Sequence, residues 1–159
     1  EQTTDLGAMV SNKERDKILA LVDEARAEGV EVITAQEAPT DGAFVAPSVV
    51  LGVEHGSTLT RNEIFGPVAP IVAVSSTDEA VRMANDTEFG LISYVYAADA
   101  GTGVKVARQM ESGMVAVNRG IASDPAAPFG GMKESGLGRE GGFAGIKEFL
   151  EMQYIAVDL

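Results

Sequence analysis

Apolar residues recur at helical spacing through Ile18, Leu19, Leu21, Val22 and Ala25, and that period predicts an amphipathic helix. Ser11-Asn-Lys-Glu14 gives it a capping box, the hydroxyl placed to accept from the Glu14 amide and the carboxylate to reach back. Gly29 is placed to end the helix. Val30-Glu-Val-Ile33 then alternates like a short strand, and residues 35–42, with Pro39 and Asp41-Gly42, read as a loop. Phe44 to Leu51 is apolar and β-branched, and Pro47 assigns it to an edge strand or a strand with a break.

The middle of the chain is more regular. Val68 to Val74 is a short apolar run suited to a buried strand, interrupted by Pro70. Ser76-Thr-Asp-Glu79 is a second capping box, opening a helix that carries Ala80, Val81, Met83 and Ala84. Leu91 to Ala97 is strand-like again. Asp99 can cap a helix bearing Val104, Val106, Ala107 and Met110, and Met114-Val-Ala-Val117 follows Gly113 as a third strand. Strand, helix, strand, helix, strand predicts right-handed βαβ crossovers, hence an α/β fold with a mostly parallel sheet. Asn118 to Gly142 is glycine-rich and lacks a period, which predicts a long loop, and a loop of that length tends to be functional. Phe143 to Leu150 reads as a helix and Met152 to Val157 as a last strand.

Composition narrows the chemistry. The 159 residues suit one domain, and 12 basic against 24 acidic residues give a net charge of −12. Such acidity argues against a nucleic-acid partner, which requires clustered Lys and Arg. There is no cysteine, and His55 is the only histidine. Disulfides, thiolate nucleophiles, Cys/His zinc sites and any Ser-His-Asp triad not built on His55 are thereby excluded. No apolar run approaches the ~20 residues of a membrane span, and no signal-peptide pattern opens the chain, so a cytoplasmic protein without a membrane partner is expected. Gly136-Leu-Gly138-Arg-Glu-Gly141 matches the dinucleotide fingerprint literally, but loop rather than strand precedes it, so it reads as a glycine-rich turn. His55 reads as a surface residue, the acidic group Asp23, Glu24, Glu28 and Glu31 as a solvated face, and Tyr94 and Tyr96 as packing.

Four segments are far more specific. Asn62-Glu-Ile-Phe-Gly-Pro-Val68, Asn85-Asp-Thr-Glu-Phe-Gly-Leu91, Gly113-Met-Val-Ala-Val-Asn118 and Pro128-Phe-Gly-Gly-Met-Lys-Glu-Ser-Gly-Leu-Gly-Arg-Glu140 occur in order. Together they resemble the C-terminal third of the NAD(P)-dependent aldehyde dehydrogenase family, over nearly all of the chain. Gly120-Ile-Ala-Ser123 and the tail Lys147 to Tyr154 look most like the succinate-semialdehyde dehydrogenases within it. The resemblance implies a parent enzyme that oxidises succinate semialdehyde or a related aldehyde to the acid with NAD or NADP. The family's cysteine nucleophile, its glutamate base and its dinucleotide domain would all lie upstream of Glu1. The chain is therefore expected to be a fragment, inactive alone, with no catalytic or metal-ligating residue of its own and no tightly bound cofactor. A non-catalytic assembly or binding module on the same fold is the alternative.

Residue by residue, Glu63 resembles the carboxylate that accepts from the nicotinamide ribose hydroxyls, and Phe65 the aromatic beside the nicotinamide ring. Ser123 resembles a serine that helps hold the succinate-semialdehyde carboxylate, and Phe129 an aromatic of the substrate tunnel. The organisation implied is residues 1–118 as the later part of a catalytic domain, 119–142 as an active-site and substrate-tunnel loop, and 143–159 as a C-terminal helix and oligomerisation strand. An apolar strand at a chain end is a natural association edge, so a homo-oligomer is expected.

Overall fold

Ser11 begins the first helix as its sequence predicts. Its hydroxyl accepts the Glu14 amide at 3.2 Å, and α1 runs over Asn12–Ala27 in the computed structural model, which describes residues 4–158. Gly29 ends it at φ 81°, with its amide on the Arg26 carbonyl and the Val30 amide on that of Ala25, both at 3.0 Å. This is the paired closure in which a left-handed glycine satisfies the last carbonyls. The buried face of α1 is Ile18, Leu21, Val22 and Ala25.

That face covers a three-stranded sheet of β1 (Glu31–Thr34), β2 (Ser48–Leu51) and β3 (Val68–Ile71), in the order β1-β2-β3. β1 pairs antiparallel and β3 parallel to β2. The one-turn helix α2 (Thr58–Arg61) adds Leu59 to a core that also contains Val45, Val50, Val53 and Val68. Ile18 and Val50 are fully buried, each worth about 1.5–3 kcal/mol in transfer from water. Pro47 does not make β2 an edge. It sits one residue ahead of the central strand, and its carbonyl accepts the Ala35 amide at 3.0 Å. Pro70, inside β3, is on the edge, where a missing donor is tolerated.

These elements belong to the first of two compact units, Glu1–Val74; the second is Ser75–Leu159. The boundary falls inside the stretch 1–118 expected as one piece, and residues 1–3 and 159 lie outside the described residues. The second unit holds α3 (Thr77–Asn85), β4 (Phe89–Gly90), β5 (Ile92–Val95), α4 (Ala100–Ala107), β6 (Met114–Val117), β7 (Met132–Lys133) and a 3-10 helix, Gly145–Phe149. β5, α4 and β6 form a parallel crossover unit, while β4 and β7 pair antiparallel.

One expectation is corrected. β3, β5 and β6 are not successive strands of one sheet: β3 is taken by β2, and β5 and β6 form a sheet of their own, so the α/β architecture consists of small sheets. Periodicity identifies a strand but not its partner. The segment Phe143–Leu150, expected as a helix, contains a 3-10 helix over Gly145–Phe149. Residues 151–158, expected to pair as a strand with a neighbouring subunit, are exposed along their length and form no strand among the described residues.

Candidate functional site

The first pair of expected site residues is set by the passage from α2 to β3. Asn62 ends α2 by donating both its backbone amide (3.1 Å) and its side-chain amide (2.9 Å) to the Thr58 carbonyl. The chain then extends, and its side chains alternate. Ile64 packs against the core, which turns Glu63 and Phe65 outward. The Lys17 ammonium donates to the Glu63 carbonyl at 3.1 Å, fixing the backbone from the α1 side. Gly66 lies so close to α1 that a Cβ there would overlap Ile18 Cδ1. From Pro67 onward the backbone is committed to β2, whose Ser48 amide donates to the Pro67 carbonyl at 2.9 Å.

Between these fixed points Phe65 adopts φ 51° and is 78% exposed. A left-handed backbone is unfavourable for a bulky residue, and an exposed phenyl ring gains nothing from water. Both are imposed by the anchors on either side. The Glu63 carboxylate is exposed as well and receives no hydrogen bond among the described residues. A carboxylate and an aromatic face are thus presented two residues apart on a rigid backbone. The arrangement can accept hydrogen bonds from vicinal hydroxyls and flank a planar ring.

The second pair belongs to the other unit. β6 ends at Val117, and Asn118 turns the chain away at φ 53°. Its side-chain amide donates to the Ala97 carbonyl (2.9 Å) and accepts the Ala97 amide (2.8 Å), while its own amide donates to the Val95 carbonyl at 2.8 Å. The loop that follows folds back through a turn in which the Asp124 carboxylate accepts the Ala126 amide at 2.9 Å and its carbonyl that of Ala127 at 3.0 Å. Phe129 and Glu140 then exchange backbone hydrogen bonds of 2.7 and 2.8 Å. The Arg139 guanidinium bridges the Gly131 and Gly138 carbonyls at 2.7 and 2.6 Å. The segment expected to lack structure is therefore ordered by backbone bonds, without the side-chain period that would announce it.

The turn brings Ser123 and Phe129 onto one cavity of about 260 Å³, beside Arg119, Asp124 and the backbone of β6. A larger cleft of about 760 Å³ in the first unit lies between the end of α1 and the segment leading into α2, lined by Glu24, Glu28, Glu31, Glu54 and the half-buried His55. Among the described residues no three metal-ligating side chains converge, and no helix is long and apolar enough to cross a membrane. The glycine fingerprint is a series of left-handed turns, with Gly136, Gly138 and Gly141 at φ 99°, 88° and 71°, and a 3-10 helix rather than an α-helix follows.

Two carboxylates lie below their ordinary pKa range, and both serve helix starts. Ser75 donates to Glu79 from its hydroxyl and its backbone amide. Thr102 donates to Asp99 from its backbone amide and its hydroxyl.

The aldehyde dehydrogenase family profile matches residues 1–155. The chain belongs to the aldehyde dehydrogenase family. It is 43% identical, over 99% of its own length, to a succinate-semialdehyde dehydrogenase of Paenarthrobacter nicotinovorans, and 37% identical over its full length to a glutarate-semialdehyde dehydrogenase of Pseudomonas putida. It spans 35% and 33% of those two proteins. Among solved structures, the succinate-semialdehyde dehydrogenase of Burkholderia pseudomallei superposes with a TM-score of 0.87 at 39% identity, over 94% of this chain and 31% of that one. An aldehyde dehydrogenase of Mycobacterium tuberculosis in complex with NAD+ gives 0.84 at 32%, over 95% of this chain and 33% of that one. The family is one of NAD(P)-dependent oxidoreductases, and the chain covers part of it.

Proposed function

We propose that this chain supplies the nicotinamide-ribose anchor and the substrate-tunnel loop of a cytoplasmic, homo-oligomeric NAD(P)-dependent aldehyde dehydrogenase that oxidises succinate semialdehyde, or a close relative, to the acid. The observation that carries the reading is the convergence of Ser123 and Phe129 on one cavity, in a chain whose relatives include succinate- and glutarate-semialdehyde dehydrogenases. NAD(P)+, when bound, accepts hydride from the aldehyde carbon. The residues present fit that cofactor. Glu63 accepts hydrogen bonds from the ribose hydroxyls, and the exposed Phe65 ring flanks the nicotinamide and restrains it, which turns binding into orientation. On the substrate side the Ser123 hydroxyl donates to the distal carboxylate, and Phe129 forms an apolar wall that excludes water from the chain between carboxylate and aldehyde.

With no cysteine available, the 159-residue chain alone provides no thiolate to attack the aldehyde. The tail from Met152 onward gains a strand partner when it meets another subunit. Steady-state assays of the full-length enzyme with succinate semialdehyde, glutarate semialdehyde and butanal test the reading. A marked kcat/KM preference for a semialdehyde is expected, and equal or inverted preference overturns it. Turnover by the 159-residue chain, shown free of longer enzyme, overturns the assignment of the chemistry to residues outside it.

A further inference from the structure

We propose that Arg119 is a specificity-determining residue that binds the substrate carboxylate beside Ser123; the inference rests on the semialdehyde reading above. Asn118, clamped to Ala97 by two side-chain hydrogen bonds, fixes the point at which the chain leaves β6. Arg119 is the next residue, so its position at the cavity is set by the strand and not by the loop. The same cavity of about 260 Å³ is lined by Ser123 and Phe129. A short semialdehyde is small beside that volume.

Charge and hydrogen bonding single the residue out. Arg119 is exposed and forms no hydrogen bond or ion pair among the described residues. Two other cations of this unit are engaged: Lys133 on Glu111 and the Asn85 and Thr87 carbonyls, and Arg139 on the Gly131 and Gly138 carbonyls. Asp124 is the one acidic side chain lining the cavity, and it is turned to its own backbone, accepting the Ala126 amide at 2.9 Å. A guanidinium with a free planar fork and a serine hydroxyl, on one cavity with an aromatic wall, are complementary to a carboxylate on a short apolar stem. A neutral aldehyde of the same length offers Arg119 nothing.

The test is steady-state kinetics of the full-length enzyme, wild type against Arg119→Met and Arg119→Lys, on succinate semialdehyde and butanal. Succinate binding, measured by calorimetry on the same proteins, supplies a readout independent of turnover. Arg119→Met is expected to raise KM for succinate semialdehyde and Kd for succinate by about ten- to a hundredfold, the usual loss for a hydrogen bond to a charged group. kcat and the butanal constants should stay near wild type, and Arg119→Lys should recover part of the loss. An unchanged succinate Kd, or equal changes on both aldehydes, overturns the role of Arg119 alone if the wild-type enzyme prefers the semialdehyde. A wild-type enzyme with no such preference overturns the semialdehyde reading, and the inference with it.

Discussion

The two presenting segments of this protein are held in place by different physics. The Glu63–Phe65 segment is anchored to a contiguous apolar core, with Ile64 packed on it and Gly66 pressed against Ile18. The Ser123–Phe129 loop has no comparable support, because Val81 and Ala116 are the buried apolar residues described in its unit. Its order comes from close backbone approach. Gly113 lies against the Gly130 carbonyl, Gly130 against that of Gly138, and Gly103 lets α4 settle on Val117 of β6. A presenting segment built on a hydrophobic core is stiff by default. A loop built on glycines and backbone bonds can vary its side chains without disturbing its scaffold, a suitable division if the first segment meets the cofactor and the second the aldehyde, as proposed.

The difference can be broken first at the core. Ile18→Ala removes a fully buried side chain and should cost about 2–5 kcal/mol. Amide exchange should speed up through β2 and the Glu63–Phe65 segment, while the Phe129 and Glu140 amides keep their protection. Loss of protection in both places would mean that the two segments share one support.

A smaller effect is expected from the loop's chemistry. Ser123→Ala should raise KM for succinate semialdehyde by roughly ten- to a hundredfold, about 1.5–3 kcal/mol, with butanal nearly unaffected. Equal effects on the two aldehydes would make Ser123 a structural residue. Gly113→Ala probes the scaffold instead. A Cβ at that position meets the Gly130 carbonyl, and the resulting overpacking should cost about 1–3 kcal/mol. The Phe129–Glu140 bridge should lose its exchange protection while α1 keeps its own.

The same contrast explains what was legible in the sequence. Elements that announce themselves through caps and period were found close to their places: α1 behind Ser11, α3 behind Ser76, α4 behind Asp99, and β5 and β6 by their apolar runs. α2 escaped because one helical turn is too short to show a period, although Ser57 stands at its N-terminal cap position. The pairing of β3 escaped because partner choice is a tertiary decision. Glu63 and Phe65 carry no chemical signature of their own, and the role expected of them came from their motif alone. Arg119 was visible as a residue but not as a cavity lining, since the turn at Asp124 that closes the loop depends on backbone bonds.

The smallest expected effect concerns acid, and it touches only the second unit. Asp99 and Glu79 both accept hydrogen bonds at a helix start, from Thr102 and from Ser75, and both titrate below their ordinary range. A carboxylate whose pKa is lower in the folded than in the unfolded chain releases its proton more readily when folded. The stability it contributes is thus fully present above its unfolded pKa and is lost as pH falls through the folded value. Asp99 is exposed and Glu79 half-buried, so solvent screens the contribution, most of all that of Asp99. Asp99→Asn keeps an acceptor oxygen for the Thr102 amide but removes the charge. At neutral pH the variant should therefore be slightly less stable than the wild type, and the gap should close in acid, below the ordinary aspartate range. Urea midpoints at the two pH values, with exchange protection of the Thr102 and Gly103 amides as the local probe, provide the measurement. A gap that persists unchanged in acid would assign the role of Asp99 to hydrogen-bond geometry, with no contribution from its charge.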